Sequence, residues 1–157
     1  MLPLRALVQR VVEASVLVDG QEMGHTGAGL LIFLGVAKED EDADGRYLVD
    51  KIANLRIFAD DENRFNRSAL DVGAELLLVS QFTLYADTRR GRRPDFTRAA
   101  PLQQAQQLYE HTVELFRQAG LKVATGRFQE HMQVHLQNDG PVTILLDSGD
   151  RHRPRRG

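Results

Sequence analysis

No cysteine occurs among the 157 residues, so disulfides, thiolate nucleophiles and thiolate-held zinc or iron–sulfur sites are excluded. Tryptophan is absent and aromatics reach only 6%, too little for the base-stacking platforms of a general single-strand nucleic-acid binder. No apolar run approaches the ~20 residues of a membrane span. The start Met1-Leu2-Pro3-Leu4-Arg5 lacks the basic region, apolar stretch and small-residue cleavage site of a signal peptide. The expectation is a soluble, cytoplasmic protein without a membrane partner, and the missing disulfides are compatible with a reducing compartment.

An excess of one charge is missing too, since the formal net charge is −2. The distribution is uneven. Acid gathers in Glu39-Asp40-Glu41-Asp42-Ala43-Asp44. Base gathers in Arg89-Arg90-Gly91-Arg92-Arg93 and in the tail Arg151-His152-Arg153-Pro154-Arg155-Arg156. Two local Arg clusters on a balanced chain could grip a phosphate backbone at one place, or be a solvated loop and a frayed end. A single domain over residues 1–148 is expected, followed by a basic, disordered tail over 149–157.

Periodicity supplies the elements. Leu4–Val12 and Ala14–Val18 read as strands, Asp19-Gly20 as a hairpin turn, and Gln21–Met23 as the returning strand. Leu30–Val36 is a continuous apolar run of strand length. Ala43, Tyr47, Leu48, Ile52 and Leu55 recur at helical spacing, predicting a helix over Asp42–Asn54 that opens on acid, as the positive end of the helix dipole favours. Arg56–Phe58 is a short strand candidate, and Ala59–Gly73 reads as loop. Glu75–Tyr85 reads as a strand, and Ala86–Ala100 as an Arg-rich loop. A second helix is predicted from Pro101 to Ala119, stopped by Gly120. Leu121–Thr125, Met132–Gln137 and Val142–Asp147 complete the strands, the last two joined by a turn at Asn138-Asp139-Gly140-Pro141. Two main helices among about seven strands predict an α+β fold with a curved, mostly antiparallel, barrel-like sheet.

Two segments carry unusual chemistry. In Ser80-Gln81-Phe82-Thr83-Leu84-Tyr85, hydroxyls and an amide crowd a strand-like stretch. A regular strand would put Gln81, Thr83 and Tyr85 on one side and Ser80, Phe82 and Leu84 on the other. On composition alone this is either a solvated strand edge or a site. Asn138-Asp139-Gly140-Pro141-Val142-Thr143 reads by itself as a plain turn, because Asn, Asp, Gly and Pro are the turn residues.

Together with the loop Thr88-Arg89-Arg90-Gly91-Arg92-Arg93-Pro94-Asp95-Phe96, these two strings resemble the D-aminoacyl-tRNA deacylase family. The resemblance runs from Arg5-Ala6-Leu7-Val8-Gln9-Arg10-Val11 to about Asp147. It implies hydrolysis of the ester between tRNA and a D-amino acid, or a glycine misplaced on alanine tRNA. It implies a homodimer acting on aminoacyl-tRNA, without a cofactor. Ser80, Gln81, Phe82 and Thr83 become the catalytic segment, with backbone N–H donors at Phe82-Thr83 facing the oxyanion. Phe128, Met132, Asn138, Gly140, Pro141 and Thr143 become substrate-binding residues. Gly140-Pro141, in cis, would reach into the partner's site and crowd the space that an L side chain needs. Arg89, Arg90, Arg92 and Arg93 become candidate tRNA phosphate contacts. Two departures stand out: Glu130 occupies a position where the family often has alanine, and Phe65 one where methionine is common.

Other signals are weak. His131 and His135 would share a strand face, but no third ligand is evident, so no metal is expected. Gly24–Gly29 is too irregular for a phosphate loop, and Ser80 lacks a Gly-x-Ser-x-Gly setting. Thr83 has no evident base to make it a nucleophile, so the tRNA 2′-hydroxyl is the preferred helper of attacking water. Two alternatives remain at this level: a small-molecule esterase with Thr83 as nucleophile, and a non-catalytic RNA-binding module.

Overall fold

The computed structural model describes residues 3–155. Strand β1 (Arg5–Val18) is the organising element, and it runs unbroken where two strands were expected. Its first half pairs antiparallel with β3 (Gly29–Gly35), and its second half with β2 (Gln21–Thr26). Its other edge pairs along the whole length with β8 (Gln133–Asp147). From β3 the sheet continues through β6 (Glu75–Ser80) to β7 (Lys122–Thr125), and both of these pairings are parallel. The expected α+β class with a curved sheet is found, and the sheet is mixed.

Parallel neighbours require crossovers, and the two predicted helices supply them. Helix α1 (Asp42–Asn54) links β3 toward β6, and α3 (Leu102–Gln118) links β6 to β7. Glu41 and Asp44 close a capping box at the start of α1. Gly120, at φ +99°, stands just beyond α3. The span read as loop between residues 59 and 73 holds more order than expected. Strands β4 (Phe58–Ala59) and β5 (Phe65–Arg67) form a small hairpin, and helix α2 (Ala69–Val72) is capped by the Ser68 hydroxyl.

Alternation along the strands divides the apolar residues between two clusters. Leu4, Ala6, Val8, Leu30, Ile32, Leu76 and Leu78 meet Leu48, Ile52, Val113 and Phe116 of the helices on one face. Val11, Ala14, Val16, Leu31, Leu77 and Val79 fill the concave interior of the sheet. Curvature brings the β2 edge against β7. A Cβ on Gly24 would stand 2.4 Å from the Thr125 carbonyl oxygen, so only glycine permits that approach.

The tail departs from the expected disorder at its beginning. Ser148–His152 forms a 3₁₀ turn docked on α1. The buried Ser148 hydroxyl donates to Asp44 Oδ1 at 2.7 Å, and Arg151 Nε lies 3.4 Å from the same oxygen.

Candidate functional site

At the open end of the sheet interior lies a cavity of about 540 Å³. Val36 and Val79 form its buried floor, and Ala99, Ala100, Ala105, Phe128, Met132 and Val134 form the walls. Ser80, Gln81 and Phe82 border it on one side. The size suits a small organic group, and the lining pairs apolar walls with a few polar groups, as ligand sites do. Packing behind the wall fixes Phe128. Tyr109 stacks near it at 6.0 Å between centroids, and the Tyr109 hydroxyl donates to the Leu78 carbonyl at 2.8 Å. Burial raises the Tyr109 pKa well above the ordinary phenol range, so this donor keeps its proton.

Ser80 is the last residue of β6, and the chain then tightens into a 3₁₀ turn, Phe82–Tyr85. The strand expected to reach Tyr85 therefore stops five residues early. The first hydrogen bond of the turn runs from Leu84 N–H to the Gln81 carbonyl, 3.3 Å. The N–H groups of Phe82 and Thr83 precede it and have no partner within the turn. The Gln81 amide donates to the Thr83 hydroxyl. Tyr85 points inward, bonded through its hydroxyl to the Gly35 carbonyl, which anchors the far end of the turn. Phe82 is 56% exposed and meets Phe96 edge-on at 5.1 Å.

Residues 138–143 form no hairpin turn. They belong to β8, whose pairing with β1 jumps from Thr143 opposite Gln9 to Asn138 opposite Val11. The residues between bulge out of the ladder. Asn138 closes the bulge with its side chain. Its Oδ1 accepts from Val142 N–H at 2.7 Å, and its Nδ2 donates to the Val142 carbonyl and the Thr143 hydroxyl, each at 3.1 Å. Arg10 holds the bulge from the other side, with Nε donating to the Asp139 carbonyl at 2.9 Å and Nη1 to the Ile57 carbonyl at 2.7 Å. Gly140 has φ +146°, and a Cβ there would stand 2.7 Å from Val142 Cγ2 and 2.9 Å from its backbone nitrogen. The Gly140–Pro141 peptide is cis, and both residues are exposed.

Comparison with known proteins connects these features. Residues 7–147 match the family described as D-Tyr-tRNA(Tyr) deacylase. The chain belongs to that family. It is 59% identical over 152 residues to the D-aminoacyl-tRNA deacylase of Roseiflexus castenholzii, covering 97% of each chain. It is 56% identical over 145 residues to that of Thermotoga petrophila, covering 92% of this chain and 97% of the relative. Among solved structures, a c-Myc DNA unwinding element binding protein superposes with a TM-score of 0.86 at 41% identity, over 91% of this chain and 97% of that one. A probable eukaryotic D-amino acid tRNA deacylase shares the fold, with a TM-score of 0.83 at 16% identity, over 93% of this chain and all of that one.

Within the chain, the residues that the resemblance singles out fall in three places. Ser80, Gln81, Phe82, Phe128 and Met132 line the cavity, with Thr83 next in the chain. Asn138, Gly140, Pro141 and Thr143 sit on the bulge and do not line it. The Arg-rich loop is a third place. There Arg89 grips Asp87 through both carboxylate oxygens at 2.6–3.1 Å and holds that carboxyl well below the usual range. Arg89 is thus engaged within the loop, whereas Arg90, Arg92 and Arg93 are exposed. Of the two residues expected to depart from the family pattern, Glu130 lines the cavity. Phe65 lies instead under the Arg10 guanidinium, 5.2 Å from its ring centroid. Arg10, Phe96 and Tyr109 were not singled out from sequence. Arg10 carried no signal of its own, since Arg5, Gln9 and Glu13 also interrupt the aliphatic residues of β1.

Proposed function

We propose that this chain hydrolyses the ester of D-aminoacyl-tRNA, and of glycine mischarged on alanine tRNA, and that it rejects L-aminoacyl-tRNA. The carrying observation is the pair of N–H groups at Phe82 and Thr83, without partners in their turn and set beside a cavity of ligand size. Water attacks the ester carbonyl carbon with help from the neighbouring tRNA 2′-hydroxyl and gives up a proton that ends on the departing ribose oxygen, while the carbonyl oxygen takes up negative charge. Those N–H groups receive the charge, a contribution worth on the order of 10²–10³ in rate per donor in comparable sites. The intermediate collapses by expelling the ribose oxygen, which leaves protonated as part of the tRNA, and the D-amino acid is released. Thr83 serves this reading as a shaping residue. Its hydroxyl accepts from the Gln81 amide, and among the described residues no base is hydrogen-bonded to it. Phe82, exposed and braced edge-on by the half-buried Phe96, offers a face for the terminal base.

Chirality is assigned to the Gly140–Pro141 bulge of a second copy. The bulge does not line its own protomer's cavity, yet Asn138 and Arg10 hold it firmly. Among the described residues β8 pairs only with β1, which leaves one edge open. Its Leu145 is 60% exposed and its Leu136 40% exposed. An open edge with apolar side chains suits a homodimer. Cytoplasmic location follows from the substrate.

One assay tests the reading. D-aminoacyl-tRNA, L-aminoacyl-tRNA and a free D-amino-acid ester are supplied in parallel, and release of the amino acid is followed. Rapid release from the first alone is expected. Hydrolysis of the free ester through a trapped acyl-Thr83 would establish a small-molecule esterase. Binding of all tRNA forms without release would establish an RNA-binding module.

A further inference from the structure

The cavity described above is almost free of charge. Of the residues that line it only Glu130 and His131 can ionise, and they are consecutive. Both are exposed, as are Phe82, Leu102 and Gln129, so these five form the mouth while the floor is aliphatic. The preceding residue, Gln129, holds φ +67°, a conformation that non-glycine residues adopt at a cost. Glu130 N–H closes the turn on the Arg127 carbonyl at 3.4 Å. A strained turn at a site's edge that presents a carboxylate is an observation calling for a role.

Resting on the deacylase reading, we infer that Glu130 sets a charge preference among D-amino acids, favouring cationic side chains over acidic ones. With the ester carbonyl at the Phe82 and Thr83 N–H groups, a side chain leaving the cavity passes the mouth that Glu130 shares. The carboxylate attracts a lysine or arginine head there and repels an aspartate or glutamate. At a water-exposed rim one pair of unit charges several ångströms apart changes an equilibrium by about threefold, so opposite signs differ by about tenfold. The α-amino group is common to all substrates and cancels from the comparison, and His131 at the same mouth is unchanged in Glu130→Gln, so the difference between the two proteins isolates Glu130.

The test charges one tRNA in turn with D-Lys, D-Tyr and D-Asp and measures kcat/KM for the wild type and Glu130→Gln. In the wild type at low salt, D-Lys is expected to exceed D-Tyr, and D-Tyr to exceed D-Asp, by about threefold each. In Glu130→Gln the three should converge. Raising salt to about 1 M, where screening acts over about 3 Å, should compress the wild-type series likewise. Equal wild-type rates on all three, or an order that persists in Glu130→Gln, overturn the inference and leave the deacylase reading intact. A loss in Glu130→Gln that is equal for all three also overturns it, because it would assign Glu130 to the shared α-amino group. Failure to hydrolyse any of the three overturns the deacylase reading itself, and the inference with it.

Discussion

Replacing Arg10 with methionine isolates the guanidinium that braces the bulge, because methionine keeps most of the aliphatic stem. The side chain is only 13% exposed. It donates two hydrogen bonds to carbonyls, on Asp139 and Ile57, and covers the Phe65 ring. Hydrogen bonds from a charged donor contribute about 1.5–3 kcal/mol each, and a cation over an exposed ring about 0.5–1 kcal/mol. Relief from desolvating the guanidinium offsets part of that sum. A net loss of about 3 kcal/mol is expected, which for a chain of this size lowers Tm by roughly 6–12 °C. Arg10→Lys, with one compact donor group in place of a fork, should fall between the two. Urea unfolding at fixed protein concentration gives the magnitude, and hydrogen exchange at Val142 reports the bulge, since that N–H is bonded to Asn138 within it. Faster exchange at Val142 should accompany loss of D-ester turnover. An Arg10→Met protein within 1 kcal/mol of wild type, with Val142 still protected, would refute the bracing role.

Gly140→Ala should stop D-ester turnover or admit L-esters, since its Cβ would press on Val142 and the backbone conformation costs roughly 1–3 kcal/mol for any side chain; wild-type turnover with unchanged L rejection counts against the role. Arg92→Ala/Arg93→Ala should weaken tRNA binding and flatten its salt dependence by about two units of log–log slope, and unchanged affinity and slope would make the loop merely solvated. Asp40 gives a pH signature. Burial is the largest cause that pushes its carboxyl up to about 7, while the Ala37 N–H opposes the rise. The folded protein holds this proton where the unfolded chain has released it, so stability falls as pH rises from about 4 to about 7. Asp40→Asn keeps an oxygen for the Ala37 N–H and should flatten that decline; an unchanged pH profile of the urea midpoint would exclude Asp40 as its source.

Much of the frame was legible because its signals are local. Helix α1 announces itself by apolar spacing and acid at its start, and α3 by its apolar face and the stop at Gly120. The capping pair Ser68 and Asp71 was equally readable and marks α2, yet the surrounding polarity suggested loop. Other features depend on partners distant in sequence. Nothing near Ser80 says that the strand ends there; the end comes from the turn that Leu84 N–H closes on the Gln81 carbonyl and from the inward anchoring of Tyr85 on Gly35. Asn138–Pro141 has the composition of a hairpin turn, and only pairing with the single long β1 makes it a bulge. The docked start of the tail depends on Asp44, more than a hundred positions away. The cavity draws on segments near residues 36, 80, 100 and 130, and their convergence is a property of the curved sheet.

Asn138 has a consequence for how this surface can vary. In an ordinary strand one extra residue turns every later side chain to the opposite face. Here the detour is buckled at its base by an amide, and the ladder resumes with Thr143 facing Gln9 on one side and Gln137 facing Glu13 on the other. Substitutions at the exposed tip that keep Gly140 and the Asn138 clasp therefore leave the flanking pairing where it is, so the surface chemistry of the detour can vary without moving the scaffold that bears it.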